Sequence, residues 1–387
     1  MRPQSALQRT LQLQRRTHLL WLCRFGWFSR RDDAGCFVAS CSRSGAAGWW
    51  EAMTRQFQAA ERGRRSASPL DRFERDRLAL FARYGFEGRS RWVSDREGRR
   101  TYVIGRGEGR CPTVLVHGGL SEASEWSLLA GRLPGHVVIP DRPGCGLSYR
   151  IDYRGVADYR EAAAAWLLDL ADGVGAGQVD LVGNSMGGFF AMAFAIAYPD
   201  RVRRLVLVGY PAGLANQVPL FARLWGSPVT GPLISKLKIT DPETYRKQVF
   251  ARLLVAHPET VPLDLLEMMV AAAALPGADR AAYTMLRAVT TLRGWRPKLM
   301  LRDGMASLPV PTLFLWGGAD AFGLPPIGQG LAARMPDARF EVLPDTGHLP
   351  QIDRADTVAS AIIGFLATQT QTSHERSWPG PRAAPEV

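Results

Sequence analysis

Cysteine is scarce in this sequence, with five among 387 residues, and no pair shows the CxxC spacing. A disulfide scaffold and a structural zinc site are therefore not predicted, and a reducing compartment, the cytoplasm, is expected. No run of 18 uncharged apolar residues occurs, so no transmembrane helix is predicted. The apolar fraction of 46% and the charged fraction of 22% exclude general disorder and indicate a protein with a sizeable core.

Lysine is also scarce, with four among the 48 basic residues. The net charge is +12, but residues 1–66 hold twelve Arg and four acidic residues and so carry +8 of it. The remainder of the chain is only mildly basic. Because the excess lies mostly in a terminal segment, nucleic-acid binding is not predicted, and a small-molecule substrate is the expected partner.

Three regions follow from the pattern along the chain. Residues 1–66 are predicted to be a disordered or non-native basic extension, with Met53 as an alternative start, and residues 369–387 a disordered tail. Between them, residues 67–368 alternate short apolar strands with helical stretches, which predicts an α/β domain with a mostly parallel sheet flanked by helices. The interval from about 214 to 302 looks helical and is rich in proline, so it is predicted to be an inserted cap.

The predicted elements are short and evenly spaced. The strands are Thr101–Ile104, Thr113–Val116, His136–Pro140, Val179–Val182, Arg204–Val208, Thr312–Trp316 and Phe340–Leu343. The main helices outside the cap are Tyr159–Leu170, Gly187–Ala197 and Asp356–Leu366.

The strongest chemical signal is the GNSMG segment at residues 183–187, a G-x-S-x-G pattern between an apolar strand and a helix. Glycines at both sides allow the strand to turn sharply into the helix while the serine keeps a strained conformation. The hydroxyl then lies at a helix N-terminus, where free backbone N–H groups favour an oxyanion. Ser185 is therefore predicted to be a nucleophile.

A serine nucleophile needs a base, usually histidine, and the sequence offers six. Elimination by position leaves His348, in the loop after the last predicted strand, at the edge where open α/β sheets place their ligands. Asp320 follows the preceding strand and is predicted to orient His348. Asp345 and Asp353 are nearer to the histidine in sequence but are expected to be exposed.

A tetrahedral intermediate also needs N–H donors for its oxyanion. Met186, the residue after the nucleophile, is predicted to supply one. The loop after an early strand supplies the other, with Gly119 as the first choice and Leu120 as the second. His117 in that loop is interpreted as structural. No metal or dinucleotide motif is present, so no cofactor is expected.

Together these motifs resemble the α/β-hydrolase superfamily over about residues 90–367. The resemblance rests on the HGG loop at His117, the D-x-P-G-x-G-x-S loop at Asp141, the elbow at Ser185, and the residues Asp320 and His348 in the chain order Ser, Asp, His. It implies an α/β-hydrolase fold with an inserted helical cap and a Ser-His-Asp triad.

The GNSMGG elbow is also similar to that of the C–C bond hydrolases of aromatic meta-cleavage pathways. Those enzymes usually carry an HGGGPGA-like loop and a Trp after the histidine, where this chain has Leu120 and Leu349. The main prediction is therefore a serine hydrolase that cleaves an ester, thioester or lactone of a small acyl or aromatic substrate through an acyl-enzyme on Ser185. The alternatives are C–C hydrolysis of a meta-cleavage product, peroxidase-like or acyl-transfer chemistry, and a ligand receptor on a hydrolase scaffold.

Overall fold

A computed structural model describes residues 68–368 of the chain. The predicted extension at residues 1–66 and the predicted tail at residues 369–387 lie outside the described residues. The main sheet has eight strands: β1 (Arg89–Ser94), β2 (Arg100–Arg106), β3 (Thr113–Val116), β4 (Val137–Pro140), β5 (Val179–Asn184), β6 (Val202–Val208), β9 (Thr312–Gly317) and β10 (Ala338–Leu343). A separate hairpin is formed by β7 (Thr290–Thr291) and β8 (Gly294–Trp295).

The strand order across the main sheet is β1-β2-β4-β3-β5-β6-β9-β10. Strand β2 runs antiparallel to its neighbours β1 and β4, and the other neighbouring pairs are parallel. The predicted mostly parallel sheet is thus confirmed. Each of the seven predicted strands is present, with ends that differ by at most two residues. Strand β1 was not predicted, because its two apolar residues, Trp92 and Val93, are flanked by arginine and serine and form no longer apolar run.

Helices cover both faces of this sheet. Those of the core are α1 (Pro69–Arg83), α2 (Ser127–Ala130), α3 (Tyr159–Gly173), α4 (Met186–Ala197), α10 (Arg302–Ala306), α11 (Pro326–Ala332), α12 (Pro350–Asp353) and α13 (Ala355–Ala367). On one face α3 and α4 pack on the strands, and on the other α1 and α13 do so. All six residues of β5 are buried, as expected for a strand covered on both sides.

Helix α1 was not predicted, although its N-terminus has a capping box. The Ser68 hydroxyl accepts from the Asp71 N–H at 3.1 Å, and the Asp71 carboxylate accepts from the Ser68 N–H at 3.1 Å. The helix is rich in charge, and one of its arginines, Arg77, is fully buried. A pattern search that expects apolar residues on the inner face therefore overlooks it.

The segment between β6 and β9 lies against the core and contains α5 (Leu220–Trp225), α6 (Gly231–Ile234), α7 (Pro242–Tyr245), α8 (Leu263–Ala273) and α9 (Ala278–Val289). It also contains a π-helical stretch, Arg246–Leu254, and the β7-β8 hairpin. The sequence interpretation of this cap as helical missed the hairpin, whose strands have two residues each. None of the described helices is long and apolar enough to span a bilayer.

Candidate active site

Ser185 lies in a strained turn between the end of β5 and the start of α4. Its φ of 51° and ψ of −113° are in a region that residues other than glycine rarely adopt. A Cβ atom on Gly183 would lie 2.7 Å from the Gly187 oxygen, and one on Gly187 would lie 2.0 Å from a backbone oxygen of β3. Both glycines are therefore required for this close approach. Ser185 itself remains partly exposed.

His348 and Asp320 are in contact at the carboxyl edge of the sheet. The Nδ1 atom of His348 lies 3.0 Å from each carboxylate oxygen of Asp320, and both residues are buried. Asp320 also accepts the backbone N–H groups of Tyr210 at 2.8 Å and Phe322 at 2.9 Å. Since Nδ1–H donates to the Asp320 carboxylate, the Nε2 lone pair is free to accept a proton from a nucleophile.

The loop that carries His348 is held in place by its neighbours. The Phe322 ring stacks on the imidazole, with centroids 4.0 Å apart. Asp353 is half-buried rather than exposed as expected, because its carboxylate accepts the Gly347 N–H at 2.7 Å. Asp345 is exposed, as expected, and contacts His257. The hydrogen bonds of Asp353 and Asp345 thus go to groups other than the His348 imidazole.

Asn184 connects the serine turn to the histidine loop. Its side-chain Nδ2 donates to the Val208 carbonyl oxygen at 2.8 Å and to the His348 carbonyl oxygen at 3.0 Å. The residue directly before Ser185 is thus bonded to the backbone of His348. Sequence reasoning treated position 184 as a variable position of the G-x-S-x-G pattern and therefore missed this contact.

The predicted oxyanion residues Gly119 and Met186 are neighbours in space. A Cβ atom on Gly119 would lie 3.6 Å from the Met186 Cβ, and one on Gly118 would lie 3.4 Å from the Ser185 Cβ. Leu120 follows with a φ of 57° and is 38% exposed. The structure therefore places the glycine loop beside the serine turn.

The peptide between Gly118 and Gly119 has a fixed orientation. Its carbonyl oxygen accepts from Arg142 Nη2 at 2.5 Å and lies 2.9 Å from His117 Nδ1. His117 Nε2 accepts from the Arg142 backbone N–H at 2.9 Å, so the ring proton is on Nδ1. Burial keeps the pKa of His117 well below its usual value, and the ring is neutral. In a trans peptide the N–H of Gly119 points opposite to this carbonyl and hence away from Arg142.

The backbone nitrogen of Gly118 contacts the buried carboxyl group of Glu125. Both Glu125 oxygens lie 3.0 Å from the Gly118 nitrogen, and Gln351 Nε2 donates to Glu125 at 3.1 Å. Burial raises the pKa of Glu125 to about 7. Sequence reasoning gave no role to Glu125, Arg142 or Gln351. Arg142 lies in the D-x-P-G-x-G-x-S loop at Asp141, which was the sequence signal for it.

The cap reaches this loop through α9. A Cβ atom on Gly119 would lie 3.7 Å from Met285 Cε, so the Met285 side chain lies over the loop. Among residues 68–368, no group of three His, Cys, Asp or Glu side chains is placed to hold a metal ion.

Comparisons with known proteins show which family the chain belongs to. Residues 113–361 match the model of the alpha/beta hydrolase family. A 2-hydroxymuconate semialdehyde hydrolase of Pseudomonas putida is 31% identical over 288 residues, covering 70% of this chain and 92% of the relative.

Solved structures show the same fold. A 2-hydroxy-6-oxo-6-phenylhexa-2,4-dienoate hydrolase from Rhodococcus sp. strain RHA1 superposes with a TM-score of 0.61 at 20% identity, over 73% of this chain and 100% of the other. A carboxylesterase from Bacillus subtilis gives a TM-score of 0.60 at 18% identity, over 78% and 99% of the two chains. The predicted fold is confirmed, and the chain belongs to the alpha/beta hydrolase family.

Proposed function

We propose that this chain is a serine hydrolase that cleaves the C–C bond of a ring-fission product, a vinylogous 1,5-diketone. The contact between His348 and Asp320 beside the strained turn at Ser185 carries the proposal of a nucleophilic serine. The choice of a C–C bond is supported by the P. putida relative, which matches along 92% of its length. The relatives thus favour the alternative prediction from the sequence over the main prediction of ester hydrolysis.

In the proposed mechanism, Ser185 is the nucleophile, His348 the base and Asp320 the residue that orients the base. His348 Nε2 takes the Ser185 hydroxyl proton as the oxygen attacks the substrate carbonyl. The resulting oxyanion is stabilised by the N–H groups of Met186 and Gly119, with Leu120 as the next donor.

C–C cleavage then needs a carbon leaving group that can hold an electron pair. The dienol substrate first tautomerises to the diketone, which moves a proton to the carbon beside the carbonyl. When the C–C bond breaks, its electron pair passes through the conjugated enone to the far carbonyl oxygen, which takes the imidazolium proton of His348. Water then hydrolyses the acyl-enzyme on Ser185, and the products are a carboxylic acid and a 2-hydroxydienoate.

Two residues favour ester hydrolysis as a second candidate. Leu120 and Leu349 stand where the C–C hydrolases of meta-cleavage pathways usually have Gly and Trp. Leu349 is buried and its N–H donates to the Leu254 carbonyl of the cap at 2.8 Å. The same serine chemistry acts on an ester carbonyl without the tautomerisation step.

The first test is an assay on a coloured ring-fission product beside a p-nitrophenyl ester, with the Ser185→Ala variant. We expect wild type to bleach the ring-fission product and the variant to lose about 10³-fold or more of kcat, because the nucleophile is missing. Ser307→Ala, an exposed serine outside the site, is the matched control and keeps full activity. Ester turnover without bleaching would support the second candidate, and more than about 10% activity in Ser185→Ala would contradict the nucleophile assignment.

A further inference from the structure

A cleft lies between the start of α3 and the cap. It has a volume of about 580 Å³, and its walls come from residues 153–159, 223–228 and 287–299. None of the proposed catalytic or oxyanion residues lines it. The cleft therefore contains none of the reacting groups, although it adjoins the serine site, since the Tyr159 hydroxyl in its lining lies 3.9 Å from Met186 Sδ.

Among the described residues 68–368, the cleft is lined by basic side chains and by no Asp or Glu. The basic residues are Arg154, Arg223, Arg287, Arg296 and Lys298. One wall belongs to a segment without acidic residues, since none occurs between Asp200 and Asp241. Charges of one sign in a concave, partly apolar site attract an oppositely charged ligand.

The carboxylates close to the cleft already have hydrogen-bond or ion-pair partners. Asp152 binds Arg154 and also Arg280, the latter at 2.9 Å. Asp158 caps α3 by accepting the Arg160 N–H at 2.8 Å. Of the cleft residues, only Arg154 thus has a carboxylate partner within residues 68–368.

The other cations contact neutral groups or stand alone. Arg223 Nε donates to the Val218 carbonyl at 2.7 Å, and Arg296 Nη2 donates to the Arg287 carbonyl at 3.1 Å. Within the described part of the chain, the side chains of Arg287 and Lys298 make no hydrogen bond or ion pair. Their donors are available to a carboxylate or phosphate, which guanidinium groups bind through paired hydrogen bonds.

Apolar side chains form another part of the lining. Tyr159 and Leu299 form its buried part, while Leu292 is 64% exposed at its edge. A volume of about 580 Å³ is in the range of cavities that hold small organic molecules. A bare inorganic anion would leave this apolar surface in contact with water.

We propose that this cleft binds a free organic anion, in which a carboxylate or phosphate group is attached to an apolar body. Arg287 and Lys298 bind the anionic group. The apolar body packs against the more accessible apolar lining at Val156, Ala288 and Leu292. The site is additional to the proposed hydrolysis at Ser185, and its occupation does not depend on that reaction.

The test is calorimetric titration of the full chain with decanoate at low ionic strength. Acetate supplies the head group without the apolar body, and decyltrimethylammonium supplies the same chain with the opposite charge. We expect decanoate to bind, with an affinity that falls as salt is added, and acetate and the cation to bind at least about tenfold more weakly.

Two variants locate the binding. Arg287→Gln with Lys298→Gln removes the unpaired charges, and Ala157→Trp fills the cleft from its exposed lining. Each is expected to weaken decanoate binding at least about tenfold. The matched control, Arg91→Gln with Arg334→Gln, removes two exposed charges outside the cleft and keeps wild-type affinity.

Several results would overturn the proposal. These are no decanoate binding, equal affinity for acetate, or unchanged affinity in both cleft variants, since the last places decanoate elsewhere, including the serine site. Binding to phosphatidylglycerol vesicles without binding of free decanoate would overturn the assignment to a free ligand. Because only binding is measured, an inactive protein that still binds decanoate would contradict the proposed hydrolysis and leave the cleft supported.

Discussion

Positive charge is used in opposite ways in the core and in the cap cleft. In the core, Arg77 Nη1 contacts Glu122 and Asp141, each at 2.8 Å, and the guanidinium carbon lies 4.6 Å from the Tyr102 ring centroid. In the cleft, Arg287 makes no side-chain contact with a carboxylate of residues 68–368. Arg77 is thus paired with carboxylates of the folded core, while the guanidinium of Arg287 is available to bind a ligand.

The difference follows from the energetic cost of burial. A fully buried guanidinium loses its water and is tolerated only with good partners. Burial raises the pKa of Glu122 and the charge of Arg77 opposes this, so each partner depends on the other. A partly exposed cation such as Arg287 stays hydrated, and the fold can leave it unpaired at little cost. Function can therefore be sought where cations are unpaired, and stability where they are paired.

Removal of the core cation should have the largest effect. Arg77→Met leaves Glu122 and Asp141 buried without their cation, and we expect a loss of about 3–5 kcal/mol in the free energy of unfolding. Denaturant titration measures it. Arg75→Met is the matched control, since Arg75 pairs with Asp76 at the exposed surface, and it should lose less than about 1 kcal/mol. Similar losses in the two variants would contradict the comparison.

The second prediction concerns Glu125, a buried carboxyl group that has no ion-pair partner among residues 68–368. The pKa of Glu125, about 7 in the fold against an ordinary 4.5, means that the native state holds a proton that the unfolded chain has lost. Wild type should therefore lose about 2.5 kcal/mol of stability, relative to Glu125→Gln, as the pH rises from about 5 to 8. Unfolding curves of both proteins across this range measure the difference. A constant difference would show that Glu125 is ionised throughout.

The third prediction concerns Arg142, a buried residue that we expect to affect the reaction rate at Ser185. Arg142→Gln loses one hydrogen bond that orients the Gly118 carbonyl, so the Gly119 N–H is less well aimed. We expect labelling of Ser185 by a fluorophosphonate to slow by about 10- to 100-fold with little change in substrate KM.

Melting temperature and a control variant separate this effect from misfolding. Arg160→Gln, an exposed arginine, should label at the wild-type rate. A folded Arg142→Gln protein that labels as fast as wild type would remove Arg142 from the oxyanion argument.

The smallest effect is expected in the cleft. Arg287→Gln with Lys298→Gln should change the free energy of unfolding by no more than about 0.5 kcal/mol, because neither side chain has a hydrogen-bond or ion-pair partner among residues 68–368. Thermal unfolding at low and high salt measures it. A loss of several kcal/mol would show that these cations stabilise the fold, and the contrast with Arg77 would fail.

The same contrast explains what the sequence could predict. The β5 strand, the turn at Ser185 and the loops of Asp320 and His348 were predicted because apolar runs end in these candidate site residues at one edge of the sheet. Arg77 and Glu122 are 45 residues apart, and no local pattern connects a buried cation to a partner so distant. Glu125 was missed for the same reason, since its contacts with Gly118 and Gln351 exist only after folding.

The Asn184 amide couples the position of the serine turn to that of the histidine loop. Because it joins the backbone of the serine turn to the carbonyl of His348, a shift of one loop is transmitted to the other. The proposed nucleophile, Ser185, and the proposed base, His348, are therefore linked through the side chain of Asn184. The serine turn and the histidine loop are thus tied to each other beneath the cap by a residue of the central sheet.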